Sequence, residues 1–83
     1  MQDRGKIEWR EHIHSDPAIL VGKPVIRGTR LSVDFLLELM ANGWTEAEIL
    51  GNYPALSPDA LRAVFAYASE HLKQDTVHVL SPV

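Results

Sequence analysis

One run of apolar residues in the second half of the chain lies between a capping residue and a glycine. Ser32 can accept a hydrogen bond from the first turn of a helix, and Gly43 suits the left-handed position that ends one. We therefore expect a helix over residues 33–42. Apolar side chains surround most of it, namely Val33, Phe35, Leu36, Leu37, Leu39 and Met40. Either the helix is central to the core, or its second side, including Phe35 and Leu39, binds a partner.

A second, short helix is predicted to end near Asn52. Thr45 and Glu48 have the spacing of a capping box, in which each side chain bonds the backbone of the other residue. Glu46 lies two residues from Glu48, so the two carboxylates point to different faces of the helix and cannot form an acid–base pair.

A third helix is predicted from Pro58 to about Lys73. Ser57 can cap it, and Pro58 occupies the first helical position, where its missing N–H costs nothing. Helical spacing predicts a core-facing stripe of five residues, namely Leu61, Val64, Phe65, Ala68 and Leu72. The opposite face is then assigned to solvent, with Asp59, Arg62, Ala63, Ala66, Ser69, Glu70 and Lys73.

The first half of the chain has strand and turn patterns. Apolar and polar residues alternate from Ile7 to Ile13, which predicts a short strand that ends at the turn Asp16-Pro17. Pro24 belongs at a strand edge or start because it lacks an N–H. Gly28 can supply the positive φ of a tight hairpin or a sharp bend.

These elements predict a mainly α fold, with a three-helix helix-turn-helix core and a short N-terminal β-element. We expect one domain over residues 1–83, with a β/turn element at 1–31, the helices at 32–73 and a tail at 74–83. A domain of this size has a marginal core, so a homodimer is expected. In the tail, Val77 and Val79 have strand spacing, so it is either disordered or a strand that binds a partner.

Composition excludes several classes of protein. The chain has 83 residues, of which 46% are hydrophobic, without an apolar run long enough to cross a bilayer. The first residues lead into no apolar segment of a secretory signal. Because cysteine is also absent, we expect a cytoplasmic protein without disulfides.

The net charge of −3 is unevenly distributed. Residues 21–33 have only basic charges, whereas the helical part is acidic. The basic loop contains Lys23, Arg27 and Arg30, which can contact phosphates or acidic groups of a protein, or pair with the acidic helices of the same chain. Arg62 is the one cation near the start of the third helix, which a helix-turn-helix places in the major groove. A monomer should therefore bind DNA poorly.

No catalytic set of residues is found, so we expect no enzyme activity, no metal site and no cofactor. His12 and His14 share one face of the predicted strand, but two ligands without a carboxylate make a poor metal site. Gly22-Lys23 does not form a phosphate loop, because Pro24 follows the lysine where a serine or threonine is needed.

The chain contains one distinctive segment, namely Asp16-Pro17-Ala18-Ile19-Leu20-Val21-Gly22-Lys23-Pro24-Val25-Ile26-Arg27-Gly28-Thr29-Arg30-Leu31-Ser32-Val33. With Gly43-Trp44-Thr45, Glu48-Ile49-Leu50, Tyr53-Pro54 and the helix over 56–72, it closely resembles the prokaryotic family known as domain of unknown function 433. The resemblance covers residues 10–73. It implies a homeodomain-like or winged-helix-like fold.

The resemblance also implies a function, because members are often encoded beside a PIN-like ribonuclease as a VapBC-type toxin–antitoxin pair. By that analogy the chain is an antitoxin that neutralises the nuclease and represses its own operon. The alternative is a stand-alone DNA-binding regulator, which the helix order and the basic loop favour. Candidate DNA contacts are Lys23, Arg27, Arg30 and Arg62, and candidate partner contacts are Phe35, Leu39, Val77 and Val79.

Overall fold

Two short strands and three α-helices follow one another along the chain. The computed structural model describes residues 5–76, with side chains as far as Lys73. Within this range the strands are β1 (Ile13–Ser15) and β2 (Pro24–Ile26), and the helices are α1 (Val33–Ala41), α2 (Glu46–Asn52) and α3 (Pro58–Thr76). The predicted mainly α fold with an N-terminal β-element is confirmed. None of these helices is long and apolar enough to cross a membrane.

Helix α1 begins and ends where its capping residues predict. The Ser32 hydroxyl accepts a 3.1 Å hydrogen bond from the Phe35 N–H. At the other end, Gly43 has a φ of +96°, and the Trp44 N–H donates back to the Leu39 carbonyl at 3.0 Å. This bond closes a Schellman motif, which requires the left-handed conformation that glycine adopts without strain.

The caps of α2 and α3 are also those predicted. Both bonds of the capping box are present, since the Glu48 N–H donates to the Thr45 hydroxyl at 3.1 Å and the Thr45 N–H donates to the Glu48 carboxylate at 2.8 Å. In α3 the Ser57 hydroxyl accepts from the Ala60 N–H at 3.0 Å. This helix continues to Thr76, three residues beyond its predicted end.

The two strands form a small antiparallel sheet in which Ile13 lies opposite Ile26. The predicted bend at Gly28 is confirmed, because this residue has a φ of +79° within the turn that follows β2. The turn reverses the chain, so that Val25 forms an isolated antiparallel bridge with Ser32. The sheet therefore leads directly into the cap of α1.

The prediction of a continuous strand from Ile7 is wrong at residues 9–11. Trp9–Glu11 form a single turn of 3-10 helix, and the strand starts only at Ile13. The Glu8 carboxylate accepts from the Arg10 N–H at 3.3 Å, which stabilises the turn. Trp9 then packs edge-on against Tyr67 of α3, with 4.8 Å between the ring centres. A continuous strand would not bring the indole to this position.

The core-facing stripe predicted for α3 is wrong at two residues. Phe65 and Leu72 are 52% and 58% exposed, whereas Ala63, assigned to the solvent side, is fully buried. The buried face is rotated toward Ala60, Leu61, Ala63 and Val64. Small alanine side chains let neighbouring elements approach α3 closely, and helical spacing alone does not distinguish this face from one with larger residues.

Helix α1 contributes to the core on one side and is partly exposed elsewhere. Val33 and Leu36 are buried. The remaining large apolar residues of the helix are half-buried and pack against the same core, namely Phe35, Leu37, Leu39 and Met40. Phe35 meets Tyr53 edge-on with 6.0 Å between the ring centres. The helix is thus a core element that also presents apolar surface.

Candidate partner-binding site

Three consecutive residues in the loop between β1 and β2 have left-handed backbone conformations. Leu20, Val21 and Gly22 have φ values of +49°, +58° and +82°. This conformation is strained for a β-branched residue such as valine. Hydrogen bonds at both ends enforce it, because the Gly22 N–H donates to the Ile19 carbonyl at 3.0 Å and the Lys23 N–H to the Leu20 carbonyl at 3.2 Å.

The strained loop holds Val21 in solvent, where its side chain is 95% exposed. The preceding turn fixes the approach of the chain. At this predicted turn the Ala18 N–H donates to the Asp16 carboxylate at 2.9 Å, and the Ile19 N–H donates to the Asp16 carbonyl at 2.8 Å. Strain that surrounding contacts enforce is most often found at functional positions.

A shallow cleft of about 560 Å³ lies between this loop and α1. We call it the loop cleft. Its principal lining residues are Leu20, Val21, Lys23, Arg30, Phe35 and Glu38. The cleft brings together exposed apolar side chains, an aromatic ring and an arginine, and aromatic residues and arginine are enriched at protein interfaces.

The basic loop does not act as one positive cluster. The Lys23 ammonium lies 3.1 Å from the Asp34 carboxylate, so the predicted alternative of pairing with an acidic helix is realised for this residue. The Arg27 guanidinium donates to the Arg10 carbonyl at 3.1 Å. Arg30 is exposed, and its side chain has no hydrogen bond or ion pair within the described part of the chain.

Asp34 is held in its charged form. The Ser32 hydroxyl, which donates to its carboxylate, lowers the pKa of Asp34 most, and the Lys23 ammonium lowers it further. The pair between Lys23 and Asp34 therefore persists near neutral pH. Because that pair is neutral overall, Arg30 supplies the unpaired positive charge of the loop cleft.

Arg62 lies away from this cleft. Its guanidinium donates to the Gly5 carbonyl at 2.7 Å and lies 3.5 Å from the Asp59 carboxylate. Residues 5–11, here called the N-terminal segment, run along α3 from this point. The segment covers part of the helix face that a helix-turn-helix would present to DNA, and it engages the one cation expected there.

Glu70 anchors the far end of the N-terminal segment. Its carboxylate accepts from the Trp9 indole at 3.0 Å and from the Arg10 guanidinium at 3.2 Å. The indole hydrogen bond lowers the pKa of Glu70 most, and the charge of Arg10 lowers it as well. Arg10 also lies over the Trp9 ring at 4.4 Å and bonds Glu8 at 3.1 Å.

The histidines form no metal site in the part of the chain that the structure describes, where no three potential ligands come together. His14 lies on β1, and its Nε2 atom is buried without a hydrogen-bond partner among the described residues. His12 lies just before the strand, and its carbonyl accepts from the Arg27 N–H at 2.8 Å.

Of the predicted partner contacts within the described residues, one lines the loop cleft and one does not. Phe35 lines the loop cleft, whereas Leu39 is half-buried elsewhere on α1. Val77 and Val79 lie outside the described residues. Leu20 and Val21 are not among the site residues predicted from the sequence, although the apolar run before Gly22 in a predicted turn region was the available signal.

Comparison with known proteins agrees with the resemblance in sequence. Residues 13–68 match the family described as "Protein of unknown function (DUF433)". The protein y4eO of Sinorhizobium fredii, described as uncharacterized, is 37% identical over 59 residues, which make up 71% of this chain and 27% of that protein. The chain thus spans about a quarter of this relative.

A solved structure has a similar fold. The crystal structure of a DUF433 member from Anabaena variabilis superimposes with a TM-score of 0.69 and 32% sequence identity, covering 75% of this chain and 61% of that one. The region that matches the family, residues 13–68, contains both strands, the loop cleft and the first half of α3. On this evidence of sequence and fold, the chain belongs to the DUF433 family.

Proposed function

We propose that the chain is a cytoplasmic, non-catalytic antitoxin of a type II toxin–antitoxin system, which binds and neutralises a PIN-like ribonuclease through the loop cleft. The observation that carries the proposal is Val21, an apolar side chain that a strained backbone holds almost fully in solvent. Single exposed apolar residues are common, but one maintained at a cost in backbone energy suggests a binding role.

The loop cleft is suited to a protein partner in two respects. Its backbone is already ordered by hydrogen bonds, so binding would lose little conformational entropy there. The half-buried ring of Phe35 and the exposed guanidinium of Arg30 are of residue types that are enriched at protein interfaces. A partner would bury Val21 between them.

The charge of the chain also supports a protein partner. The net charge is −3, and most acidic residues lie in the helical part. Among them Glu38, Glu46 and Glu48 are exposed on α1 and α2. An acidic surface of this kind would attract a basic nuclease and increase the rate of association.

Direct DNA binding has weaker support. Of the four candidate cations, Lys23, Arg27 and Arg62 already have partners within the chain. Arg30 alone provides too little charge for tight binding to phosphates. Under the proposal, repression of the operon therefore depends on a complex or a dimer that brings several positive charges together.

The proposal requires a PIN-like nuclease encoded beside this gene, and co-expression with that nuclease tests it. The wild-type chain should co-purify with the nuclease and relieve its toxicity, and V21D should do neither, because it places a carboxylate where the partner buries valine. The matched control is A47D, which adds the same charge at an exposed position of α2. Circular dichroism verifies that both variants fold.

Two outcomes would contradict this function. One is a wild-type chain that neither binds the neighbouring nuclease nor reduces its toxicity. The other is a V21D variant that neutralises as well as A47D. If the isolated chain instead binds its promoter tightly, with an affinity that falls steeply with salt and is lost in R30A, the stand-alone regulator would replace the antitoxin.

A further inference from the structure

Arg30 lies between two depressions of the surface. One is the loop cleft, and the other is a pocket of about 410 Å³, which we call the arginine pocket. Its lining residues are His14, Ile19, Gly28, Thr29 and Arg30. They come from β1, from the loop between the strands and from the turn that follows β2. Because Arg30 lines both depressions, a partner that occupies the loop cleft lies next to the arginine pocket.

Hydrogen bonds hold the backbone on one side of the arginine pocket. The Thr29 N–H and the Thr29 hydroxyl both donate to the Ile26 carbonyl, at 3.0 Å and 2.8 Å. The same hydroxyl accepts from the Leu31 N–H at 3.0 Å. Arg30 lies between these bonded residues, so its backbone is fixed before a ligand binds and little conformational entropy is lost there.

Three polar groups of the arginine pocket have no partner in the described part of the chain. The exposed Arg30 guanidinium has neither a hydrogen bond nor an ion pair there. The Gly28 N–H donates to no described residue. The Nε2 atom of His14 is buried and also lacks a hydrogen-bond partner among these residues. Nearly all buried polar groups in proteins are hydrogen-bonded, so an unpaired one beside a pocket needs an explanation, and a bound acceptor provides it.

We propose that the arginine pocket binds the carboxylate of an aspartate or glutamate side chain of the partner protein. This inference rests on the proposed function, because the partner is the protein that occupies the loop cleft. A carboxylate has two oxygens with about four acceptor positions. The Arg30 guanidinium can fill two of them as a fork, and the Gly28 N–H and the His14 ring supply further donors.

The charge of the arginine pocket favours a carboxylate over a phosphate. Among the lining residues Arg30 supplies the one permanent charge, so a single carboxylate neutralises the pocket. A phosphate monoester carries nearly two negative charges, and DNA carries many close together. Either would add surplus negative charge to a chain whose net charge is already −3. The half-buried side chain of Ile19 forms an apolar wall, which suits the methylene groups of an acidic side chain.

A titration of the isolated chain with sodium acetate tests the pocket without the partner. At an ionic strength kept constant with sodium chloride, acetate should shift the amide resonance of Gly28 in a saturable manner. R30Q should weaken acetate binding by about tenfold or more, because it removes both the charge and the fork. H14F should weaken it by roughly threefold or more, because it removes a neutral donor. The matched control R62Q removes the same charge far from the pocket and should bind acetate as the wild type does.

Inorganic phosphate is the second probe, and it distinguishes the two kinds of oxyanion. Acetate should saturate the Gly28 shift, and phosphate should not saturate it at a lower concentration. A shift that saturates with phosphate but not with acetate would assign the pocket to phosphate and overturn the proposal. A wild-type chain without a saturable acetate shift would overturn it as well, and so would an R30Q variant that binds acetate like R62Q.

Co-expression with the neighbouring nuclease separates this inference from the antitoxin function. The nuclease should co-purify with R62Q as with the wild type, and in a smaller amount with R30Q. Equal co-purification with both variants would leave the antitoxin function intact and would exclude a carboxylate contact at Arg30. A nuclease that binds none of the three chains would instead contradict the proposed function, whatever the acetate titration shows.

Discussion

The indole nitrogen of Trp9 donates to the carboxylate of Glu70 at 3.0 Å, joining residues that lie 61 positions apart in the chain. The other oxygen of Glu70 accepts from Arg10 at 3.2 Å. The Trp9 ring also meets Tyr67 edge-on. One carboxylate on α3 therefore receives two donors from the N-terminal segment and attaches it to the helix.

Acidification should weaken this attachment. The folded pKa of Glu70 is lowered by the Trp9 hydrogen bond and by Arg10. A lowered folded pKa stabilises the protein above the ordinary glutamate pKa of about 4.3, and this stabilisation is lost as the pH falls through the lower folded pKa. The Trp9 indole N–H resonance should therefore shift in a pH titration below that ordinary value.

The matched variants for this titration are E70Q and E8Q. E70Q keeps an acceptor for the indole but cannot titrate, so the acid-induced shift of the Trp9 resonance should disappear. In E8Q the shift should remain, because Glu8 bonds Arg10 and not the indole. A shift that persists in E70Q would mean that another group controls the resonance.

Replacing Val21 by glycine should stabilise the free protein. The left-handed conformation costs an L-residue roughly 1 to 2 kcal/mol, and glycine avoids this while losing somewhat more backbone entropy on folding. We expect V21G to raise the free energy of unfolding by about 0.5 kcal/mol in urea denaturation. Partner binding should weaken in the same variant. A V21G protein that is less stable than wild type would argue against strain at this residue.

Two glycines should respond in opposite ways to alanine. Gly43 has a φ of +96°, so G43A should lower the free energy of unfolding by about 1 kcal/mol through backbone strain. Gly51 lies within α2 at an ordinary φ, so G51A should raise it by about 0.5 kcal/mol. A Cβ at either position meets no atom within 4 Å, so steric clashes do not contribute to the change in the free energy of unfolding. Equal effects in urea denaturation would contradict the assigned conformations.

Loss of the Ser32 hydroxyl should change both the free energy of unfolding and the pKa of Asp34. S32A removes the cap of α1, which should lower the free energy of unfolding by about 1 kcal/mol. The hydroxyl is also the largest cause of the lowered pKa of Asp34. An NMR titration of the Asp34 carboxyl should therefore show a larger upward pKa shift in S32A than in K23A. The reverse order would assign the effect to the ion pair.

The helix boundaries could be predicted because local residues determine them. Ser32, Thr45 and Ser57 each bond a backbone N–H in the first turn of the following helix, and Gly43 ends α1 through a backbone conformation. Such interactions span only a few positions, so a sequence pattern contains all the information needed.

The candidate site was less predictable because it depends on distant contacts. Trp9 forms a helical turn in part because it packs on Tyr67, and nothing near Trp9 in the chain indicates that residue. Likewise, Lys23 is neutralised by Asp34 of α1. The exposure of Phe65 depends on which face of α3 the other elements cover.

The attachment of the N-terminal segment also determines the order of folding. Capped helices form from neighbouring residues, whereas the bond between Trp9 and Glu70 joins residues 61 positions apart and can form only after α3 is in place. The segment should therefore be the last part to order and the first to open. In native-state hydrogen exchange, its amides should lose protection at a smaller free energy than those of α1, which makes it a separate cooperative unit at the chain's beginning.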